Sequence, residues 1–140
     1  MKPTIRPKLR NDLAAEILID VRFSETDLMG VVHHSHYFDW FDIARLAVLR
    51  NMGIELDRRL DFQMPVASVN CDYIQPARFG DRLSVTAALE ETTVAKYIFH
   101  FTVRNDKTRR LVAKATTVSV LNKNQGGLMI RLPEKVEYEQ

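Results

Sequence analysis

A single cysteine, Cys71, in 140 residues leaves no partner for an intrachain disulfide and fits a reducing compartment. Long apolar runs are missing as well: no hydrophobic stretch approaches the roughly 20 residues that span a bilayer. The N-terminal stretch 1–12 is basic, but no apolar segment of the kind found in a secretory signal follows it. Charge of one sign is equally scarce. Twenty Lys and Arg against eighteen Asp and Glu leave a formal charge of +2, and the basic residues are scattered, which argues against a nucleic-acid partner. These absences set the expectation of a cytoplasmic protein that neither enters a membrane nor binds nucleic acid. No internal repeat, linker or low-complexity segment interrupts the chain.

What remains is an ordinary globular composition, 46% hydrophobic and 27% charged, in a length that makes one domain and not two. Residues 1–14 read as a flexible arm of a single 1–140 domain. Residues 16–24 alternate, with Ile17, Ile19, Val21 and Phe23 on one face, which predicts a half-buried strand. A helix follows from about Ser35 to Met52. Ser35 suits its N-cap, Asp39 complements the positive end of its dipole, and Gly53 is a C′ residue that ends it. Tyr37, Trp40, Phe41, Ala44, Ala47 and Val48 make a buried face wide enough to need cover on several sides. Asp39, Asp42, Arg45 and Arg50 take the opposite side, where Asp42 and Arg45 are spaced to pair.

A polar connection, 54–63, has room for one helical turn, and four more strands follow. Residues 64–73 place Ala67, Val69, Cys71 and Tyr73 on one face. Residues 82–90 turn Leu83, Val85, Ala87 and Leu89 inward, and 96–104 do the same with Tyr97, Phe99, Phe101 and Val103. The last, 111–121, is apolar on both faces, as suits a strand also covered at a subunit contact. Asn105-Asp106-Lys107 is turn chemistry joining the last two strands, and Gly80-Asp81 turns the chain into the third. The tail after Gly126-Gly127 is weakly patterned. One apolar helix among five strands is best covered by a strongly curved antiparallel sheet wrapped around it, an α+β arrangement.

The chemistry lies between the first strand and the helix. Asp27 supplies a carboxylate, Gly30 lets the chain turn sharply, and the helix start leaves backbone N–H groups without partners. The positive end of the helix dipole favours a charged carboxylate there. These are parts from which a small hydrolase can be assembled, although Asp27 also suits a turn residue that binds loop amides. His33, His34 and His36 lack the i, i+4 pairing of a helical metal site and have no cysteine beside them, so they read as a non-metal cluster. Cys71, Trp40 and Phe41 read as core, and His100 as a residue of its strand's polar face.

The stretch V-R-F-S-E-T-D-L-M-G-V-V-H-H-S-H-Y-F, Val21 to Phe38, resembles the hotdog-fold thioesterases, specifically the 4-hydroxybenzoyl-CoA thioesterase group with its YbgC-like acyl-CoA thioesterases. Asp42-Ile43-Ala44-Arg45 on the helix and Gln75-Pro76-Ala77-Arg78-Phe79-Gly80-Asp81 before the third strand add to it, and the order of elements agrees from Glu16 to Leu121. The resemblance implies a hotdog fold of about five strands around one central helix. Asp27 falls on the family's catalytic carboxylate. His34 falls on the position whose backbone N–H faces the thioester carbonyl and whose side chain the YbgC-like members share. Gly30, Val31, Val32, Ser35, Tyr37 and Asp42 fall on substrate-contact positions. Phe23 stands where those members often carry a tyrosine, so a hydroxyl there is lost.

The implied activity is hydrolysis of an acyl-CoA or aroyl-CoA thioester, with Asp27 as nucleophile or general base and N–H groups of His34 or Ser35 polarising the carbonyl. Thiolate leaves without strong acid help, so few titratable groups suffice. No metal or cofactor is implied; coenzyme A enters only as part of the substrate. The alternatives are a thioesterase acting on an acyl-carrier protein, a non-hydrolytic acyl-binding hotdog protein, and a hotdog dehydratase or hydratase, whose acid–histidine spacing this sequence does not reproduce. A homo-oligomer is implied, a dimer or a homotetramer of paired dimers.

Overall fold

The computed structural model describes residues 9–57, 62–90 and 96–123. In chain order the elements are β1 (Leu9–Asp20), α1 (His36–Asn51), β2 (Phe62–Gln63), β3 (Val66–Tyr73), β4 (Arg82–Glu90), β5 (Lys96–Asn105), β6 (Leu111–Val120) and β7 (Asn122–Lys123). Five strands form one antiparallel sheet in the order β1-β4-β5-β6-β3, and β2 pairs with β7 alone. Helix α1 lies against this sheet, touching β1 and β4 most.

The core is built on size complementarity across the sheet. Phe101 of β5 stands opposite Ala87 on one side and Ala115 on the other, so both neighbours leave room for its ring. Phe41 of α1 fills the space above, with ring centroids 4.7 Å apart. Val85, Leu89, Phe99 and Val103 continue this buried face, and Ala44, Val48 and Leu49 press the helix onto it. Truncating a ring such as Phe101 to alanine typically costs about 3–5 kcal/mol. The period-2 alternation is realised as read in β5, whereas in β4 the inward set is buried as read but Ser84 and Ala88 on the opposite face are buried too.

Several expectations give way at the edges. β1 starts at Leu9, not near Glu16, and pairs with β4 from Leu9↔Glu90 onward, so part of the supposed arm is strand and Leu13 is buried. Residues 1–8 and the tail beyond Lys123 lie outside the described residues. Phe23 does not extend the strand's inner face. It opens a short 3-10 turn, Phe23–Glu25, and its ring is 75% exposed. Ser35 stands at the N-cap position without a capping side-chain bond, because its hydroxyl faces the His33 Nδ1 at 2.8 Å instead.

Arg45 leaves the solvent face assigned to it. Its guanidinium donates to the Met64 carbonyl at 2.9 Å and to Ser119 Oγ at 3.1 Å, while Asp42 is 3.7 Å away. Burial pushes its pKa down, and the charge of Asp42 opposes that shift. β3 is an edge, and the residues read as the apolar face of 64–73 are largely open, with Val69 and Tyr73 exposed and Cys71 half-buried. Of the connection 54–63, Ile54–Asp57 is not helical, Phe62–Gln63 is β2, and the remainder lies outside the described residues. Gly53 ends α1 with φ +83°, a value that suits glycine. No helix among the described residues is long and apolar enough to cross a membrane.

Candidate active site

The loop between β1 and α1 is closed at its neck by its own backbone. The Glu25 carbonyl accepts the His33 N–H at 2.9 Å, and the Asp27 N–H donates to the Val31 carbonyl at 2.9 Å. Between them the chain reverses through Asp27–Gly30, where the Gly30 N–H returns to the Asp27 carbonyl at 3.0 Å with φ +76° at Gly30. A left-handed backbone at that point strains any residue with a Cβ. The Val32 N–H then reaches the Ala77 carbonyl at 2.8 Å, which sews the loop to the Pro76-Ala77-Arg78 segment.

This stitching opens a cleft of about 310 Å3 lined by Asp27, Met29, Val31, Val32, His34, Tyr37, Tyr73, Ile74, Gln75 and Pro76. Asp27 is half-buried, and one carboxylate oxygen accepts the Met29 N–H at 2.8 Å. Its other oxygen has no partner among the described residues. Asp27 is therefore a turn residue and a cleft residue at once. On the far side of the loop neck, the His33 carbonyl accepts the first helical N–H, that of His36, at 3.1 Å. The N–H on the same peptide, that of His34, has no protein acceptor among the described residues. Accepting at the carbonyl polarises that free donor. The Ser35 N–H is turned to the His33 Nδ1 at 3.3 Å, so of the two donors anticipated at the helix start, His34 is the open one.

Two tyrosines frame the cleft. Their rings meet edge-to-face with centroids 5.0 Å apart. Burial pushes the Tyr37 hydroxyl up to about 12, with Cys71 adding to the shift and the Ala77 backbone opposing it. Burial, with Cys71 and Tyr37 beside it, raises Tyr73 as well. Both hydroxyls keep their protons at neutral pH, which leaves Asp27 and His34 as the cleft's other titratable side chains. A cleft lined by one residue with a carboxylate and another with an unpaired backbone donor suits attack on a carbonyl whose oxygen becomes negative.

Of the positions carried over from the sequence, Asp27, Val31, Val32, His34 and Tyr37 line the cleft. Gly30 shapes the Asp27 turn from outside it, Ser35 faces His33, and Asp42 sits exposed on α1 beside Arg45. No group of three His, Cys, Asp or Glu residues among the described residues is placed to hold a metal. In the sequence Tyr73 stands out only as a strand residue, and Gln75 and Pro76 only as part of a motif. Their place in the cleft follows from the turn after β3, which the alternation of β3 does not reveal.

Comparisons with known proteins bear on the family and the fold. The chain is 36% identical over 118 residues to an Aquifex aeolicus protein named "Putative esterase", spanning 83% of this chain and 89% of that one. It is 28% identical over 121 residues to a 1,4-dihydroxy-2-naphthoyl-CoA hydrolase of Synechococcus elongatus, spanning 84% and 88%. The crystal structure of a 1,4-dihydroxy-2-naphthoyl-CoA thioesterase from Synechocystis superposes with a TM-score of 0.78 at 22% identity, covering 86% of this chain and 90% of that one. With a family model matching residues 21–139, the chain belongs to the thioesterase-like superfamily and carries its hotdog fold.

Proposed function

We propose that this thioesterase hydrolyses an acyl-CoA or aroyl-CoA to the free acid and coenzyme A, with no cofactor beyond the coenzyme A of the substrate. The observation that carries this reading is the cleft itself, onto which both Asp27 and the His34 residue with its unpaired N–H open. The thioester carbonyl sits with its oxygen toward the His34 N–H. Asp27 either attacks the carbonyl carbon or takes a proton from the water that does. In both cases the tetrahedral intermediate collapses by breaking the carbon–sulfur bond, and the thiolate departs. Where Asp27 is the nucleophile, water then hydrolyses the mixed anhydride left on it, releasing the free acid and restoring the carboxylate. A preorganised oxyanion donor of this kind is typically worth about 100–1,000-fold in rate. The tyrosine rings offer a flat wall to an aryl group, and relatives named as hydrolases of an aromatic coenzyme A thioester support an aroyl substrate.

The chains assemble along β3. This edge strand presents Val66, Val69 and Tyr73 to solvent, and an open apolar edge is a template for another strand. Phe38 and Ile43, exposed on α1, supply a second contact for a tetramer of paired dimers. A thiol-reagent assay across acyl-CoA, aroyl-CoA and acyl-carrier-protein thioesters tests the reaction, with thiol release expected from the coenzyme A substrates. Release from carrier-protein thioesters alone would reassign the thiol, and binding without release would make the protein an acyl binder.

A further inference from the structure

Glu25 is a carboxylate the reaction does not use, and it is 3% exposed. Carboxylates in such surroundings are rarely left without several donors. One oxygen accepts the Arg22 backbone N–H at 2.8 Å, with the Arg22 Nε 3.4 Å away. The other accepts the indole N–H of Trp40 at 3.1 Å, fifteen residues on and in the second turn of α1. Burial raises the carboxyl's pKa, but the Arg22 backbone, the Trp40 indole and the Arg22 guanidinium outweigh it and hold the group below the ordinary glutamate value of 4.5.

The backbone of the same residue closes the neck of the Asp27 loop by accepting the His33 N–H. Asp27 therefore lies two residues inside the neck on the loop side, and His34 one residue outside it on the helix side. The side chain fixes that neck to the helix. Trp40 is a firm anchor, 2% exposed and packed on Tyr37 with ring centroids 4.8 Å apart. Glu25 thus joins the segment bearing the carboxylate, the segment bearing the free N–H and the helix that orients both.

We propose that ionised Glu25 is a positioning residue for the hydrolysis inferred above, holding Asp27 and the His34 N–H in register by pinning the loop neck to Trp40. It touches no substrate and acts through the two groups it spaces. Misplacement by about 1 Å from such a remote change can cost on the order of 100-fold in rate. Gln in its place keeps the shape but presents an NH2 to one of two donors, so one of the two bonds becomes a donor–donor clash. The inference rests on the hydrolase reading and adds a residue to it.

The test compares Glu25→Gln, Trp40→Phe and the double variant with the unaltered protein, at a temperature where circular dichroism shows all of them folded. Trp40 is the sole tryptophan, so its emission reports directly on the Glu25 contact in every variant that keeps it. The expected result is a kcat lowered about 10- to 100-fold by either single change, with KM within a few-fold and a double variant no worse than the worse single. Glu25→Gln is also expected to shift Trp40 emission and to remove the acid-range step expected of the unaltered protein. Should Glu25→Gln fail to fold, Trp40→Phe carries the test, since it breaks the same contact and leaves the carboxylate its Arg22 bond. Unchanged kcat in the folded variants would overturn the inference and leave the hydrolase reading standing. Absence of hydrolysis by the unaltered protein on every thioester would overturn both.

Discussion

The Tyr73 hydroxyl donates to the His34 carbonyl at 3.0 Å, tying the end of β3 to the turn that starts α1. The bond joins residues thirty-nine positions apart in the sequence, across the mouth of the cleft. It fixes the plane of the peptide that follows His34, while the ring packs at 5.0 Å on Tyr37 and 6.2 Å from the His34 ring. Tyr73→Phe keeps the ring and removes the bond. A neutral hydrogen bond is worth roughly 0.5–1.5 kcal/mol, so kcat is expected to fall about three- to tenfold with KM little changed. An unchanged kcat would reduce Tyr73 to a wall of the cleft.

Asp27→Asn separates the two roles the structure gives that residue. The amide oxygen still accepts the Met29 N–H, so the turn and the far-ultraviolet circular dichroism are expected to be native. The amide is neither base nor nucleophile, and turnover is expected to drop by about 100-fold or more. A variant retaining most of its rate would take Asp27 out of the reaction and leave it as a loop residue.

How much of this was legible in the sequence depends on how local the cause is. The inward sets of β4 and β5 follow from alternation, because Leu83 to Leu89 and Tyr97 to Val103 recur at period 2 on strands with a neighbour on both sides, although the burial of Ser84 and Ala88 on the other face of β4 is not foretold by it. The turns at Gly80-Asp81 and Asn105–Lys107 were equally plain, since Asp81 and Asn105 accept nearby backbone N–H groups through their own side chains. Arg45 was not legible. Its spacing put it on a solvent face, but its length lets the guanidinium reach back to Met64 and Ser119. The Glu25–Trp40 contact was hidden for a similar reason, as it joins a loop to a helix face and has no periodicity to announce it. Ser35 misled because its neighbour His33 competes for the hydroxyl.

The exposed edge makes a prediction about assembly. β3 carries open apolar side chains at Val66, Val69 and Tyr73, and nothing within the described chain covers its free side. Sedimentation at micromolar concentration is expected to show a dimer or a tetramer. Val69→Lys places a charge on that edge and is expected to shift the distribution toward monomer. A monomeric unaltered protein would remove the pairing along β3.

The depressed carboxyl of Glu25 fixes the sign of a pH effect. Its folded value lies below the ordinary 4.5, so it contributes stability above that value and loses the contribution as pH falls through the folded one. Glutamine resembles the protonated state at every pH. The gap in thermal midpoint between the native protein and Glu25→Gln is therefore expected to be widest above pH 4.5 and to close as the solution is acidified. A gap that stays constant into acid would mean that Glu25 is not charged in the folded protein.

His34 offers two things to the cleft, a backbone N–H without an acceptor among the described residues and a ring on the lining, and two substitutions tell them apart. Alanine removes the ring and keeps the donor. Proline removes the donor as well, at a position before α1 where its fixed φ does not interrupt a helical bond. If the ring takes part, His34→Ala is expected to lower kcat by about 100-fold. His34→Pro is expected to lose about 100- to 1,000-fold beyond whatever alanine costs, the usual worth of an oxyanion donor, with circular dichroism confirming that α1 is intact. A near-native rate for alanine beside a collapsed rate for proline would assign the residue's whole contribution to its backbone. Native rates for both would mean that the carbonyl oxygen sits elsewhere, and the open N–H of His34 would then be no more than a solvated helix end.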